Sequence, residues 1–477
     1  MQNKTLGEIF AESRPWEHVI ADLKRKVISV PSWSDLRKEY EPSLHEIMDR
    51  SQYPDRVGPD GRLRKVTRIP YNFQKLAVKR TTQLCFGLPA KVVFRPADDE
   101  KQKEVAKYLT NILKRSRIDS INFERGTQLF ASCESATLWY GVRTPTTAYG
   151  FSSPIKLRCR TFSPMNGDDI YPLYDQHGDL IALSFEYTEN DGKNTVSYFD
   201  CYTAEKHYQW MNDGHGWEQT QNPEEISIGK IPGVYIWRPQ PIWEGTTPIV
   251  SDIEKKMSLN GNYLDKNLKP LFCVFADDDI PARDDDYTGY RHDGEEQGEK
   301  SPEKEDRTIL QLPADAKANY ITWPQAVESL KFHITEARQS FFTQLQLPDW
   351  SYESMKSTPM SGESRKQLFI DAQLKVTEES GRWIEAFDRE INVLKSFLKQ
   401  MLPGDYAEAI DSLQFDVVIT PFMIDDEKER ISNLALANGN KPMISQKESI
   451  ARLGWSNDPD KTLRDIAEEQ MVDEMAM

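Results

Sequence analysis

Two stretches of similar length and pattern determine how this chain is organised: PIVSDIEKKMSLNGNYLDKNLK at residues 248–269 and PQAVESLKFHITEARQSFFTQLQ at residues 324–346. Each begins with a proline, which the first turn of a helix tolerates, and each is closely followed by a proline, Pro270 or Pro348, that cannot continue a helix. Apolar residues recur at helical spacing in both stretches. We therefore predict two helices of matched length, each spanning about 33 Å.

A third and longer helix is predicted over residues 363–402, opening at the Ser361-Gly362 pair. Its apolar residues keep the helical repeat throughout, which predicts a rod of about 60 Å. Between the two shorter helices lies an acidic excursion, residues 277–306, with thirteen Asp and Glu against four Lys and Arg. The order of helix, excursion, helix and long helix suits a ring subunit that builds a tube better than an enzyme built around a pocket.

The chain before the first of these helices mixes helices and strands, so the predicted fold class is α+β. An arm at residues 8–60 precedes a helix at 71–86, and further helices are expected near 99–115 and 120–135. From residue 155 to 237 apolar and polar residues alternate, with breaks at hairpin sequences. The predicted strands are Lys91–Arg95, Thr137–Val142, Ile155–Arg160, Leu180–Tyr187, Asn194–Tyr202, Lys206–Trp210, Gly233–Trp237, Leu271–Phe275, Thr308–Leu312, Ala318–Thr322 and Phe415–Thr420, and the helices after the last strand are 425–437, 445–453 and 460–471.

Composition excludes several classes of protein. The 477 residues exceed one usual core, so two or more lobes are expected. A net charge of −16 argues against a protein that grips nucleic acid tightly, because neutralising phosphates needs clustered Lys and Arg. No run of 18 apolar residues occurs, so no membrane span is expected. The opening MQNKTLGEIF is polar and argues against secretion, so the five scattered cysteines are expected to be buried, reduced thiols.

The residues offer no catalytic constellation. Asp168 and Asp169 resemble the paired aspartates of two-metal sites, but Pro164 and Pro172 flank them, which favours a turn. The seven histidines show no zinc-ligand spacing, and no GxxxxGK[ST] loop occurs. We therefore expect a protein that is not an enzyme and that holds no cofactor and no metal.

These features together resemble the portal proteins of tailed bacteriophages, the head-tail connector family of siphophage type. In that family a clip segment joins two stem helices, and a tunnel loop leads from the second stem helix into a long helix. Further family-like stretches are RIPYNFQKLAVKRTTQLCFGLPAKVVF at 68–94, FSPMNGDDIYPLYDQHGDLIALSFEY at 162–187 and FDVVITPFMIDDEKERISNLALANGNKPMISQKESIARLG at 415–454. No single motif is diagnostic; the order and spacing of the elements carry the resemblance.

The resemblance implies a portal fold of α+β class, assembled as a ring. It divides the chain into an N-terminal arm and α+β wing (1–247), a first stem helix (248–269), a clip (270–323), a second stem helix (324–346), a tunnel loop (347–362), a long wing helix (363–414) and a helical crown (415–477).

The implied function is a channel at one capsid vertex, through which double-stranded DNA enters during packaging and leaves during ejection. The implied partners are further copies of the chain, twelve in family virions, together with the DNA, the terminase large subunit, a head-tail adaptor, and the major capsid and scaffolding proteins. The implied location is the virion, at the portal vertex of a capsid assembled in the host cytoplasm.

The resemblance also assigns roles to individual residues. In the tunnel loop, Trp350, Tyr352 and Met355, with Lys356, would narrow the bore. Basic residues on the stem helices would touch sliding phosphates; these are Lys255, Lys256, Lys266, Lys331 and Arg338. Acidic residues of the clip would face the motor or the adaptor; these are Asp284, Asp285, Asp286, Glu295 and Glu296.

Alternatives remain open for these residues and for the whole chain. The basic residues also fit a solvated helix face with pairs such as Asp252–Lys256. The acidic run 277–306 is an ordered clip surface, a calcium site or a solvated loop. The apolar stripe of the second stem helix, including Phe341, is expected to be covered by a neighbouring copy. The alternative function is another ring-forming virion protein, a head-tail adaptor or a minor capsid protein, although these lack the helix order seen here.

Overall fold

The computed structural model describes residues 5–11, 14–57, 63–190, 195–267, 271–275, 317–321, 327–348, 370–422, 427–439, 442–456 and 458–476. The described α-helices, numbered along the chain, are α1 (Leu6–Ile9), α2 (Trp16–Leu23), α3 (Trp33–Tyr40), α4 (Phe73–Phe86), α5 (Glu100–Arg115), α6 (Ile118–Ser132), α7 (Thr247–Asn267), α8 (Val327–Gln344), α9 (Ile370–Met401), α10 (Ala407–Ser412), α11 (Glu427–Ala437), α12 (Gln446–Leu453) and α13 (Pro459–Ala476).

The described strands form one large sheet and several small ones. They are β1 (Arg56–Val57), β2 (Leu63–Arg64), β3 (Lys91–Arg95), β4 (Glu134–Val142), β5 (Lys156–Phe162), β6 (Asp169–Tyr174), β7 (Leu180–Asn190), β8 (Thr195–Tyr202), β9 (Lys206–Asn212), β10 (Glu218–Gln219), β11 (Glu224–Glu225), β12 (Gly233–Trp237), β13 (Leu271–Phe275), β14 (Lys317–Ile321) and β15 (Gln414–Val418). The mixed helix and sheet content agrees with the predicted α+β class.

The large sheet is an antiparallel meander from β6 to β9, to which β10 and β11 add on β9. The hairpin between β6 and β7 lies where the sequence predicts a turn, at His177-Gly178-Asp179. The Asp175 carboxylate accepts hydrogen bonds from the backbone N–H of His177 at 2.8 Å and of Asp179 at 2.9 Å. Gly178 has a φ of 88°, a left-handed conformation that favours glycine. Turn chemistry therefore sets the strand boundaries here.

Strand β6 corrects the expectation that the residues between Pro164 and Pro172 form only a turn. A 3₁₀ turn at Pro164–Asn166 ends at Gly167, whose φ is 89°, and β6 begins two residues later. Pro172 is compatible with a strand because β6 lies at the edge of its sheet and pairs with β7. A missing N–H on the outer side of an edge strand breaks no ladder bond.

The N-terminal arm lies on the large sheet of its own chain. Ile9, Val19, Ile20 and Leu23 from α1 and α2 are buried in a cluster with Phe199, Ala182, Leu173, Cys201 and Trp210. A second apolar cluster, which includes Phe162 stacked on Phe185 at 4.0 Å between ring centroids, joins the large sheet to the β12–β4–β5 sheet. The arm is therefore part of the folded subunit.

Helix α9 forms the centre of two further apolar clusters. Its first half packs with α4, α6 and the end of α8, and its second half packs with α5 and α10. The described part of this helix has 32 residues, about 48 Å, and the predicted start at 363 lies outside the described residues. The strand predicted after α9 is found as β15, and the structure pairs it antiparallel with β3, with Phe415 opposite Phe94.

Phe341 of α8 corrects the expectation that a neighbouring copy covers the stripe at that position. The side chain is fully buried in its own chain, with ring centroids 5.3 Å from Phe73 and 5.3 Å from Phe342. The apolar residues of α7 and α8 that stay exposed lie elsewhere along the helices; these are Leu259, Leu264, Val327 and Phe332.

The chain divides into a main unit (1–46, 70–251 and 337–477) and a second unit (47–69 and 252–336). In the second unit, residues 66–69 form a strap across α7. The backbone N–H of Thr67 donates to Asn262 Oδ1 at 2.8 Å, and that of Ile69 donates to Ser258 Oγ at 2.9 Å. A Cβ on Gly261 would stand 2.8 Å from Thr67 Cγ2, so only glycine lets the strap approach.

The helices after β15 agree with the predicted positions, apart from boundaries. Ser445 caps α12 by accepting from the N–H of Glu448 at 3.1 Å. Among the residues from 431 to 469 whose side chains are described, none is buried. Leu436, Met443 and Trp455 are strongly exposed. This C-terminal segment therefore has apolar side chains that its own chain does not cover.

Candidate functional site

Most residues assigned to the tunnel loop and the clip lie outside the described part of the chain. These are Trp350, Tyr352, Met355, Lys356, Asp284, Asp285, Asp286, Glu295 and Glu296, and the side chain of Lys266 is also outside it. Of the predicted strands around the acidic excursion, Leu271–Phe275 is found and pairs antiparallel with Lys317–Ile321. Thr308–Leu312 lies outside the described residues.

Lys256 faces the partner helix α8 within the second unit. Its Nζ lies 2.8 Å from Asp252 Oδ2, which confirms the predicted pair one helical turn apart. His333 of α8 also reaches this carboxylate, with Nε2 2.6 Å from Oδ2. Hydrogen bonds from Lys256 and from His333 hold the pKa of the Asp252 carboxyl below its ordinary value. Lys256 is thus a member of a three-residue charged cluster that joins α7 to α8.

Lys255 faces a different direction. Successive residues of a helix are turned by 100°, so Lys255 lies on the side of α7 that carries Ser258, Leu259 and Asn262. With residues 47–68 this side encloses a cavity of about 270 Å³ in the second unit. Lys255 forms no ion pair among the residues that the structure describes. The two adjacent lysines therefore belong to separate surfaces of one helix.

The cavity beside Lys255 is stiffened by a second charged pair. Arg68 Nη2 lies 2.7 Å from Asp55 Oδ1, with side chains only 10% and 11% exposed, and the same guanidinium donates to the carbonyl of Tyr53 at 2.6 Å. A hydrogen bond from the N–H of Val66 and that from Arg68 lower the pKa of Asp55. These bonds hold the segment before the strap in a fixed shape.

The two predicted basic residues of α8 also differ in setting. Lys331 is exposed and stands two residues, or 200°, away from His333, so it points away from the α7–α8 cluster. Arg338 is partly buried. Within the second unit, the structure therefore brings Lys256 to the seam between α7 and α8, whereas Lys255 and Lys331 face other directions.

The entry to the predicted tunnel loop is anchored in the main unit. After α8, Gln346 adopts a φ of 54°, and Leu345 and Leu347 are buried. Arg80 of α4 donates from Nη1 to the carbonyl of Pro348 at 2.9 Å, and its guanidinium lies 4.4 Å from the Phe342 ring centroid. Sequence reasoning missed Arg80, because nothing in its local pattern distinguishes it from a surface arginine.

The helix that follows the predicted loop is held by two buried carboxylates, Glu379 and Glu390. They stand eleven residues apart, three turns, and so share one face of α9. Glu379 pairs with Arg238 at 3.0 Å, and Glu390 pairs with Arg125 at 2.8 Å. The sequence holds a signal for both glutamates, since each carboxylate lies next to the apolar stripe of the helix.

Of the paired aspartates that resemble a metal site, Asp168 lies in the turn before β6 and Asp169 is the first residue of that strand. Asp168 Oδ2 accepts from the backbone N–H of Ser163 at 3.1 Å, and burial raises the pKa of both Asp168 and Asp169. Within the described ranges no group of three potential metal ligands occurs.

Four described cysteines are free, and burial raises the pKa of Cys133, Cys159 and Cys201 to about 12, which keeps these thiols protonated and unreactive.

Among the described residues, no helix is long and apolar enough to cross a membrane.

Comparison with curated proteins gives no match. The chain is similar in structure to three solved assemblies at low identity. They are the neck of an empty gene transfer agent (GTA) particle computed with C6 symmetry (10% identity, 87% of this chain, 95% of that chain, TM-score 0.41), the neck of a native GTA particle computed with C12 symmetry (11%, 91%, 96%, 0.41) and the virion of a native GTA particle (10%, 91%, 96%, 0.39).

The family comparison covers nearly the whole chain. The model of the family described as "Phage portal protein, SPP1 Gp6-like" matches residues 18–474. That range takes in the arm from residue 18 onward, strands β1 to β15, helices α7, α8 and α9, and nearly all of the C-terminal helices. The chain belongs to the SPP1 Gp6-like family of phage portal proteins.

Proposed function

We propose that this chain is the subunit of a portal ring, with twelve copies as in family virions, set at one capsid vertex and threaded by double-stranded DNA. The observation that carries the proposal is the family match across residues 18–474. The order of α7, β13, β14, α8 and α9 supports it, because it follows the stem, clip, stem and long-helix order of the resemblance.

Uncovered apolar side chains support assembly with further copies. Phe332 on α8 is 67% exposed, and Met443 and Trp455 in the C-terminal segment are 89% and 65% exposed. Large exposed apolar groups cost free energy in water and commonly mark protein contacts. A head-to-tail contact that closes under rotation would cover the same residues on every subunit and generate a ring.

The charge of the chain supports a conduit rather than a DNA-gripping protein. Each copy contributes a net −16. A wall of this sign repels the phosphate backbone and lets DNA slide. Lys255, Lys331 and Arg338 are proposed as sparse cations that touch passing phosphates. Trp350, Tyr352, Met355 and Lys356 are proposed to narrow the bore.

The remaining partners follow from this role. A separate terminase ATPase would supply the energy of packaging, with the clip as its docking surface and Asp284, Asp285, Asp286, Glu295 and Glu296 as the charges it meets. A head-tail adaptor would replace the terminase after packaging, and major capsid and scaffolding proteins would surround the ring. The chain would act in the virion without catalysing a reaction.

Two measurements test the proposal. Negative-stain microscopy of the purified protein should show wide rings with an axial hole; compact particles without a hole would contradict it. The triple change Trp350→Ala, Tyr352→Ala and Met355→Ala should leave ring mass unchanged and reduce the number of DNA-filled heads, or their retention of DNA, after complementation. Normal filling and retention would remove these residues from the channel.

A further inference from the structure

One nitrogen of His333 has two contacts that it cannot satisfy at the same time. Nε2 lies 2.6 Å from Asp252 Oδ2 and 2.6 Å from Lys256 Nζ. Lys256 Nζ in turn lies 2.8 Å from the same Oδ2. A carboxylate only accepts hydrogen bonds and an ammonium only donates them. A ring nitrogen either carries a proton and donates or presents its lone pair and accepts, so it serves one of these partners.

The two protonation states of His333 therefore favour different arrangements. When Nε2 carries no proton, it accepts from the Lys256 ammonium, which also donates to Asp252. When the ring is protonated, Nε2 donates to Asp252, and the imidazolium and the ammonium become two cations in contact, which repel each other. Imidazole is the side chain whose ordinary titration falls between about pH 5 and 8.

We propose that the Asp252–His333–Lys256 cluster rearranges on protonation. Protonated His333 remains hydrogen-bonded to Asp252 and displaces the Lys256 ammonium, which then binds DNA phosphates. The charged groups that contact His333 from α7 are Asp252 and Lys256, and on α8 itself Glu336 lies one turn further along. Side-chain exposures of 37% for Lys256 and 45% for His333 leave the ammonium room to swing into water.

The assignment of phosphate as the ligand rests on the proposed portal function, whereas the displacement itself does not. Lys256 is held at the α7–α8 seam by partners that neutralise it, in contrast to Lys255, which has no ion-pair partner among the described residues. A cation that is released only on protonation would make the number of phosphate contacts depend on pH.

The displacement is tested by brief acylation of the purified protein with an amine-reactive ester, followed by mass spectrometry. Lys255 is the internal reference, since it is the neighbouring residue and does not contact His333. The ratio of Lys256 to Lys255 labelling should rise roughly twofold or more as the pH falls from about 8 to 5.5.

In His333→Gln the amide can accept from Lys256 and donate to Asp252 at every pH, so the ratio should stay constant; His333→Asn gives a second test if that variant is unstable. A constant ratio in the wild type, or the same rise in both variants, would contradict the proposed displacement of Lys256 by protonated His333.

The ligand is tested separately, with a short DNA duplex and the assembled protein. The dependence of affinity on salt counts the phosphates neutralised. The wild type should show a steeper dependence near pH 6 than near pH 8, and Lys256→Met should show the same slope at both. A pH-dependent labelling ratio without a change of slope, or no duplex binding at all, would reject phosphate as the ligand and leave the displacement standing.

Discussion

Arg125 and Glu390 form two hydrogen bonds of 3.1 and 2.8 Å inside the core, although 265 residues separate them in the chain. Trp139 Nε1 donates to the same carboxylate at 2.8 Å, and Asn122 Oδ1 accepts from the guanidinium at 2.7 Å. Both charged side chains are almost completely buried, at 3% and 0% exposure. Desolvation of such a pair is compensated only while every partner is present. The pair therefore ties α9 to α6 and β4 in one rotational position.

We predict that Glu390→Leu lowers the free energy of unfolding by about 3–5 kcal/mol, because it leaves the Arg125 charge buried without its partner. Adding Arg125→Met should recover part of the loss, since the orphaned charge is then removed. Denaturant unfolding of the single and double variants measures both effects.

The matched control is Glu385→Leu on the same helix. Glu385 pairs with Arg389 at 2.6 Å, but the side chains are 65% and 46% exposed, so the pair is worth at most about 1 kcal/mol. Equal losses for Glu385→Leu and Glu390→Leu would show that burial does not set the strength of the Arg125 pair.

A pair of helical glycines gives opposite predictions for one substitution. A Cβ on Gly381 of α9 meets no atom within 4 Å, whereas a Cβ on Gly126 of α6 would stand 2.9 Å from the Phe86 ring. Gly381→Ala should therefore raise stability by roughly 0.5–1 kcal/mol through backbone entropy. Gly126→Ala should lower it, because the packed ring has to move. Thermal melting of both variants measures the difference; a loss of stability in Gly381→Ala would contradict the open space found beside Gly381.

Substitutions at two phenylalanines of α8, nine positions apart, are expected to distinguish an effect on folding from an effect on assembly. Phe341 is fully buried and Phe332 is 67% exposed. Phe341→Asp should prevent folding of the main unit, because it buries a charge and removes an apolar group worth about 1.5–3 kcal/mol. Phe332→Asp should leave the subunit folded and reduce the mass of the assembly.

Circular dichroism together with light scattering after size exclusion distinguishes the two outcomes. A Phe332→Asp protein with normal oligomer mass would place that side chain on a surface that remains solvated in the ring.

Glu134 gives a prediction about pH. The carboxylate is bound by Lys26 at 2.8 Å and by the Tyr235 hydroxyl at 3.0 Å, but desolvation outweighs these contacts and raises its pKa above the ordinary 4.5. The folded state therefore binds this proton more readily than the unfolded state does. Its contribution to stability is fully present below the unfolded pKa and is lost as pH rises through the folded pKa.

Glu134→Gln removes this titration. The melting temperature of the variant minus that of the wild type should increase as the pH is raised from about 4 toward neutrality. A difference that stays constant or falls over that interval would mean that Lys26 controls the carboxyl instead.

Local patterns were sufficient to locate most helices and strands. Proline and apolar spacing predicted α7 and α8 to within a few residues, and strands Lys91–Arg95 and Gly233–Trp237 agree with the observed bounds. These elements are determined by short-range rules of backbone geometry and periodicity. Strand β6 was missed because an edge strand tolerates the proline that argued against it.

The pairing of distant side chains could not be predicted in the same way. The apolar periodicity predicted helix α8 correctly, but it could not show that Phe341 packs against Phe73 of α4 within the same chain. It also could not show that His333 joins the Asp252–Lys256 pair, because His333 comes from a helix 81 residues further on. Helical spacing gives the face of a residue but not the identity of what covers that face.

The strap at residues 66–69 has a consequence for biosynthesis. The hydrogen bond from Thr67 to Asn262 joins residues 195 positions apart. At a translation rate of 5–20 residues per second, the strap leaves the ribosome about 10–40 s before the helix that receives it. During that interval the segment 70–251 is completed, so the second unit closes only after most of the main unit has been synthesised. Gly261 then acts as the place where an early part of the chain meets a late one.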